Sequence, residues 1–365
     1  MNGWRCDRRR VLGGLAGLAL TGTVPAMARA TESAASAPAR LAALLERWRD
    51  DPHPDLKGVV VLRHGQRIAE AYYNGDDATT LHDIRSATKS LTSLLMGIAI
   101  DHGRVAGVDA PITRYLPGPL PGGWPAGWES ITIRDLLTMR SGLAADDTNP
   151  ASPGNEDTLD EAGEKTGDWA TAALAVPVRE PPGRTYQYCS LNAFLTGLIV
   201  ERATGQGLDA FAQEALFAPL GIAVHSWRQL PGGHGTGQGN LSITARDAAT
   251  IGQLILDDGL HQGRRVVSQR WLSDSLARIH PIAASDPYAD FYGYMWYAKD
   301  EPVGDKQAGD GRTVPVHFAS GNGGNKIYVV PSLDLVVAIT SSAYGKGYGQ
   351  RRSQDILLGI LAALS

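Results

Sequence analysis

Ser86 precedes Lys89 by three residues in "SATKSL", where Leu91, Leu94, Leu95 and Ile98 begin an apolar face. At that spacing a helix puts a hydroxyl and an amine on one side, within reach of each other. A serine hydroxyl is a weak nucleophile until a neighbour takes its proton. Lys89 becomes such a neighbour if burial strips its charge. A helix start also offers unpaired backbone N–H groups and the positive end of a dipole, both suited to a developing oxyanion. The chemistry this predicts is acyl transfer onto Ser86; the plain alternative is an ordinary helix start. The pattern alone is weak, since roughly one chain in three with this serine content and seven lysines carries it by chance.

Other chemistries lack their residues. No serine sits in G-x-S-x-G, so the nucleophile elbow of the α/β-hydrolases is missing. There is no H-E-x-x-H or C-x-x-C, and the nine histidines are scattered, which disfavours a metal site. "GHGTGQGN" and "SGNGGN" are glycine-rich but carry neither a P-loop nor a dinucleotide fingerprint. No cofactor is implied.

The elements that must position Ser86 are readable in outline. Leu41, Leu44, Leu45 and Trp48 recur at helical spacing. "KGVVVLRHGQRIAEAYY" predicts a hairpin turning at His64-Gly65. From about residue 100 to 285 helical segments alternate with Gly and Pro loops. Among them are "TIRDLLTM", "SLNAFLTGLIVERATG" closed by Gly205, and "TARDAATIGQLILDDG" capped by Thr244 with Asp247 in its first turn. "FYGYMWYA", "VHFASG", "NKIYVVP" and "LDLVVAITSS" return to strand character, and "SQDILLGILAAL" ends the chain as an apolar-faced helix. Strands near both termini imply one sheet built from the two ends, in residues 31–85 and 285–365. Residues 86–284 form a mainly helical domain inserted after the hairpin, with the site at the junction.

The 365 residues suffice for a large core, and 43% hydrophobic with 20% charged is an ordinary globular balance. A net charge of −4 argues against nucleic acid or an anionic membrane as partner. Residues 1–30 read separately. Arg8-Arg9-Arg10, a weakly apolar stretch from Val11 to Val24, and Ala26-x-Ala28 or Ala28-x-Ala30 make an export signal, its apolar part too short to span a bilayer. Arg8-Arg9 before Val11-Leu12 fits the twin-arginine type, an ordinary secretory signal being the alternative. The mature chain then starts near Thr31, without an integral membrane span, and works in the periplasm or outside the cell. Cys6 leaves with the signal, so Cys189 has no disulfide partner and reads as a packing residue.

Further stretches lift the serine chemistry above chance. "SATKS", "ITIRDLLTMRSGL", "YQYCSLNAFLTGLIVERATGQ", "GNLSITARDAATIGQLIL", "YGYMWY" and "FASGNGGNKIYVVPSLDLVVAITSS" follow one another through roughly residues 57 to 345. In that order and spacing the chain resembles the class C β-lactamase-like serine hydrolases, a group of penicillin-binding proteins, esterases and nylon-oligomer hydrolases. The resemblance implies an α/β (α+β) fold of the β-lactamase/transpeptidase type, a mainly antiparallel sheet flanked by helices. It implies Ser86 as the acylated nucleophile, Lys89 as its proton partner and Tyr188 as a second base, with Tyr186 as the fallback. It also implies an oxyanion hole from the N–H groups of Ser86 and Asn322, following Gly321.

Two departures from that family's pattern bear on substrate. Ser190 stands two residues after Tyr188 where relatives carry asparagine, leaving Ser190, or Asn192 beyond it, to meet substrate. Ala319 in Ala319-Ser320-Gly321 replaces a lysine, removing a cation suited to a carboxylate and leaving His317 as a candidate substitute. The pattern is similar to the esterase and nylon-oligomer branch, which implies a small carboxylic ester or linear amide as substrate. A β-lactamase, a DD-peptidase-type penicillin-binding protein and a non-catalytic periplasmic sensor remain alternatives.

Overall fold

A computed structural model of the chain describes residues 36–116, 118, 122–303 and 311–365. The export signal expected over residues 1–30 lies outside them. Residues Ser36–Ser365 pack as a single unit.

Its centre is an eight-stranded antiparallel sheet. The strands are β1 (Leu56–Arg63), β2 (Gln66–Tyr72), β3 (His280–Pro281), β4 (Phe291–Tyr292), β5 (Tyr297–Pro302), β6 (Thr313–Gly321), β7 (Asn325–Val330) and β8 (Leu335–Ser341). Their spatial order is β2-β1-β8-β7-β6-β5-β4-β3, so the N-terminal hairpin joins the sheet along the last strand, as expected of a sheet built from two ends. The hairpin turns at His64 and Gly65 with φ of 52° and 69°, both central residues left-handed, as a tight turn matched to strand twist requires. β7 and β8 are buried along their whole length, in keeping with the apolar runs Ile327–Val330 and Leu335–Ile339. One expected strand divides. "FYGYMWYA" becomes β4 and β5 with a turn between, because the Gly293 N–H bonds back to the Trp296 carbonyl (2.8 Å) and Met295 is left-handed, φ 59°.

Five helices support the sheet and the site: α1 (Ala37–Arg47), α2 (Thr88–Asp101), α3 (Ser190–Thr204), α4 (Ala245–Leu256) and α5 (Tyr348–Leu364). α1 packs against α5 on one face of the sheet, and α4 lies on the other. Gly252 of α4 is pressed against the sheet so closely that a Cβ would lie 2.5 Å from Val336. Thr244 caps α4 in a reciprocal capping box with Asp247, as its sequence predicts.

The remaining two helices position the site. α2 and α3 are buried on every side along most of their lengths and pack against each other. Neither shows a polar stripe, as befits helices enclosed by protein. The glycine-rich segment "GHGTGQGN" threads between them: a Cβ on Gly237 would lie 2.8 Å from the Ala193 carbonyl oxygen. Among the described residues no helix is long and apolar enough to cross a membrane.

Candidate active site

Ser86 lies in a 3₁₀ turn, Arg85–Ala87, immediately before α2, where its sequence suggests that the helix itself begins. Arg85 is left-handed, φ 52°, a conformation that strains a non-glycine residue by roughly 1–3 kcal/mol and must be held by its surroundings. Two contacts hold it. The Arg85 N–H donates to Asp83 Oδ1 (2.8 Å), and its guanidinium carbon lies 4.0 Å from the centre of the Tyr344 ring. The turn aims Ser86 into a cavity of about 500 Å³, whose wall also includes Tyr186, Tyr188, Ser320, Gly321, Asn322 and Lys326.

Lys89 is buried one helical step behind. Its Nζ donates to Ser86 Oγ (3.1 Å), to Ser190 Oγ (3.2 Å) and to the Gln238 carbonyl (2.7 Å). Those three acceptors use all three N–H groups of an ammonium. The Ser190 hydroxyl donates its own proton to Glu156 Oε2 (3.1 Å), so toward Lys89 it can only accept. A neutral Lys89 would therefore keep two N–H bonds, to Ser190 and Gln238, and turn its lone pair on Ser86.

The charges decide against that state. Burial drives Lys89 toward neutrality, but Tyr188, Glu156 and Asp147 outweigh it and hold its pKa above the ordinary lysine value. The expectation of a lysine made neutral by burial is thus corrected, and the cause includes two carboxylates that no motif announces. Glu156 opens the helix Glu156–Thr166, and burial pushes its carboxyl up, opposed by Lys89 and reinforced by Asp147. Asp147 Oδ2 accepts the Ser190 N–H (2.7 Å) at the start of α3, where a negative charge meets the helix dipole.

Tyr188 is the aromatic residue at Lys89: Nζ lies 5.2 Å from its ring centre. Tyr186, two residues earlier, stacks on His280 (5.2 Å) and faces Tyr292 (5.4 Å), and burial pushes its phenol far above the ordinary value. Tyr186 is thus a poor proton acceptor. Across the cavity, Gly321 brings the end of β6 against the nucleophile turn. A Cβ there would lie 2.0 Å from the Ile84 carbonyl oxygen, so only glycine permits the approach. β5 pairs with β6 only as far as Phe318, leaving the edge from Ser320 to Asn322 open to the cavity. Asn322 is held there by its own groups: Oδ1 accepts from the Gly345 N–H (2.8 Å), and its carbonyl accepts from Asn325 Nδ2 (2.9 Å). Its backbone N–H has no acceptor among the described residues.

The beta-lactamase family model matches residues 51–360. The chain belongs to the beta-lactamase family. It is 29% identical over 309 residues to a 6-aminohexanoate-dimer hydrolase of Paenarthrobacter ureafaciens, covering 78% of this chain and 71% of that one. A penicillin-binding protein homolog from Caulobacter crescentus superposes with a TM-score of 0.66 at 18% identity, covering 90% of this chain and 97% of that chain. A class C beta-lactamase from Rhodobacter sphaeroides gives 0.61 at 20% identity, covering 88% and 99%. The fold is thus of the β-lactamase/transpeptidase type, and the family is one of serine hydrolases.

The structure brings Ser86, Lys89, Tyr188, Gly321 and Asn322 to one place and corrects three other expectations. Ser190 lies behind Lys89, bridging it to Glu156, rather than on the cavity wall. Asn192 does not compensate for the missing asparagine, because its Nδ2 donates to the Met139 sulfur (3.5 Å) beneath the helix. His317 does not replace the lysine absent at position 319, since it points to the other face of β6 from Ser320, toward Arg278 and Asp300. A cation nevertheless lines the cavity. Lys326 of β7 pairs in register with Ser320 and donates to its Oγ (2.7 Å). Cys189 is buried, and burial pushes its thiol up to about 12, so it stays protonated.

Proposed function

We propose that the chain is a serine hydrolase that cleaves small carboxylic esters or linear amides through an acyl-enzyme on Ser86. The observation that carries this is Lys89 Nζ held 3.1 Å from Ser86 Oγ with Tyr188 beside it on the same cavity. Lys89 and Tyr188 act as a pair on the Ser86 proton, one on the hydroxyl and the other beside it. With the ammonium favoured on Lys89, the proton acceptor in this step is the phenolate oxygen of Tyr188, paired with that ammonium. The proton leaves Ser86 Oγ for that oxygen as Oγ bonds to the substrate's carbonyl carbon, and Lys89 stabilises the negative charge. The carbonyl oxygen, now an oxyanion, lies between the N–H groups of Ser86 and Asn322. Removing one such donor typically costs about 3 kcal/mol of transition-state stabilisation. Tyr188 then gives the proton to the departing amine or alkoxide, and water repeats the sequence on the acyl carbon.

Linear amides gain support from the relative named as a 6-aminohexanoate-dimer hydrolase. The arginine-led signal pattern of residues 1–30 supports action outside the cytoplasm, which cell fractionation with and without those residues tests. The hydrolase chemistry is tested by labelling with a fluorophosphonate probe: the wild type is expected to label and Ser86→Ala to resist. A panel of p-nitrophenyl esters, short linear amides and nitrocefin then orders the substrates, with nitrocefin expected slowest. An unlabelled wild type would overturn the proposal.

A further inference from the structure

Lys326 is only 2% exposed, yet it belongs to the wall of the cavity that holds Ser86. Its Nζ reaches one hydrogen-bond acceptor, Ser320 Oγ, and otherwise lies against aromatic faces, 4.7 Å from the Phe318 ring centre and 5.9 Å from that of Tyr328. No carboxylate among the described residues comes within ion-pairing distance of it. Burying a lysine that way is costly unless something charged completes its coordination. Ring faces attract a cation but supply no hydrogen-bond acceptor, so N–H capacity is left over. We propose that Lys326, with the Ser320 hydroxyl, forms a subsite for a carboxylate carried by the substrate. The enzyme would then prefer acyl or leaving groups bearing a free carboxylate over their neutral counterparts. The subsite presupposes the Ser86 hydrolysis proposed above and specifies which esters and amides it favours.

The groups around Lys326 fit this role. Asp286, on the loop across the cavity, and Glu301 of β5 favour its charged form, while Lys299 of β5 disfavours it. Glu301 is already engaged by Gln354 (2.7 Å), and one Asp286 oxygen by the Tyr288 N–H (2.8 Å). The 3₁₀ turn contributes Arg85, which is taken up by Tyr344 and Asp83. From α5, Gln350 reaches the cavity as a neutral group. Burial dominates the balance and brings Lys326 down to about 7. The subsite is therefore cationic below that pH and loses its charge above it, while a substrate carboxylate stays ionised throughout. Carboxylate binding is strongest on the acid side and weakens as pH rises through about 7.

The test compares matched substrate pairs on the full chain. One pair is mono-p-nitrophenyl adipate and its methyl ester, which places the charge on the acyl side. The other is 4-carboxyphenyl hexanoate and its methyl ester, which places it on the leaving group. In at least one pair the wild type is expected to favour the carboxylate in kcat/KM by about tenfold at pH 6. That ratio should shrink toward one by pH 8.5, and the change should lie in KM. Lys326→Met should abolish both the preference and its pH dependence, and Ser320→Ala should reduce the preference severalfold. Should Lys326→Met fail to fold, the wild-type pH profile and Ser320→Ala decide. A wild type that labels with fluorophosphonate but shows no carboxylate preference at any pH overturns the subsite alone. So does a preference that survives Lys326→Met. Absence of labelling overturns the hydrolase beneath it.

Discussion

Lys89 makes three hydrogen bonds to oxygen atoms, but its protonation is set by burial and, against it, by Tyr188, Glu156 and Asp147. Glu156 acts on it through Ser190 and through space, so replacing that carboxylate should change the lysine without touching the cavity wall. In Glu156→Gln one of the charges that hold Lys89 above its ordinary value is gone, and its pKa falls. If the ammonium is the working form, the alkaline limb of kcat/KM for a neutral p-nitrophenyl ester moves to lower pH. A pH–rate profile checks this. A gain at high pH would mean that the free amine attacks the Ser86 proton, the opposite assignment. For Tyr188→Phe, loss of the proton carrier is expected to lower kcat/KM by roughly 10²–10⁴-fold, as removing a general base does. Steady-state kinetics on the same ester measures it, with circular dichroism confirming the fold.

At the scale of elements, the site exists because two buried helices and one strand end converge. Gly321 is the joint between them. Gly321→Ala would place a methyl group 2.0 Å from the Ile84 carbonyl oxygen, so β6 and the Ser86 turn must separate. Overpacking of that kind costs about 1–3 kcal/mol. The larger effect is expected on fluorophosphonate labelling of Ser86, since the Asn322 N–H retreats from the oxyanion. Labelling rate and thermal melting measured together separate the two consequences. The partners at this joint differ in how openly a sequence declares them. Ser86, Lys89, Tyr188 and the Gly321-Asn322 turn announce themselves through motif order, and hairpin, caps and strands through periodicity and turn chemistry. Asp147, Glu156 and the Gln238 carbonyl do not. An acidic residue in a loop or a first helical turn has ordinary structural uses, and a backbone carbonyl carries no sequence signal at all. Spacing from Tyr188 says nothing about which way a helix start faces, so Ser190 is expected at the substrate and found behind Lys89. Lys326 is inconspicuous in an apolar strand, because only its register with Ser320 reveals that it turns toward the cavity.

Across the whole molecule, the sheet is assembled from both ends of the described chain, and one buried ion cluster ties them. Arg352 of α5 is 4% exposed at its side chain, donates to Asp51 Oδ2 (2.9 Å) and pairs with Asp55 Oδ1 (2.6 Å). It also donates to the Ser341 hydroxyl (2.8 Å) at the end of β8. The segment before β1 is thereby fixed to the last strand and the last helix. Burial pushes the Asp51 carboxyl up, but hydrogen bonds from Arg352 and His53 outweigh it and hold it below the ordinary value. A carboxylate depressed in the folded state contributes stability above its unfolded pKa, near 3.9, and that contribution is lost as pH falls through the folded value. Arg352→Met leaves two acidic groups without their cation, and breaking a buried pair this way costs about 3–5 kcal/mol at neutral pH. The deficit should narrow on acidification, because a protonated Asp51 no longer needs the guanidinium. Urea unfolding of wild type and variant at pH 7 and pH 3.5 measures both gaps. If the gap is the same at the two pH values, the guanidinium holds the chain ends together by packing, and charge is not what joins them.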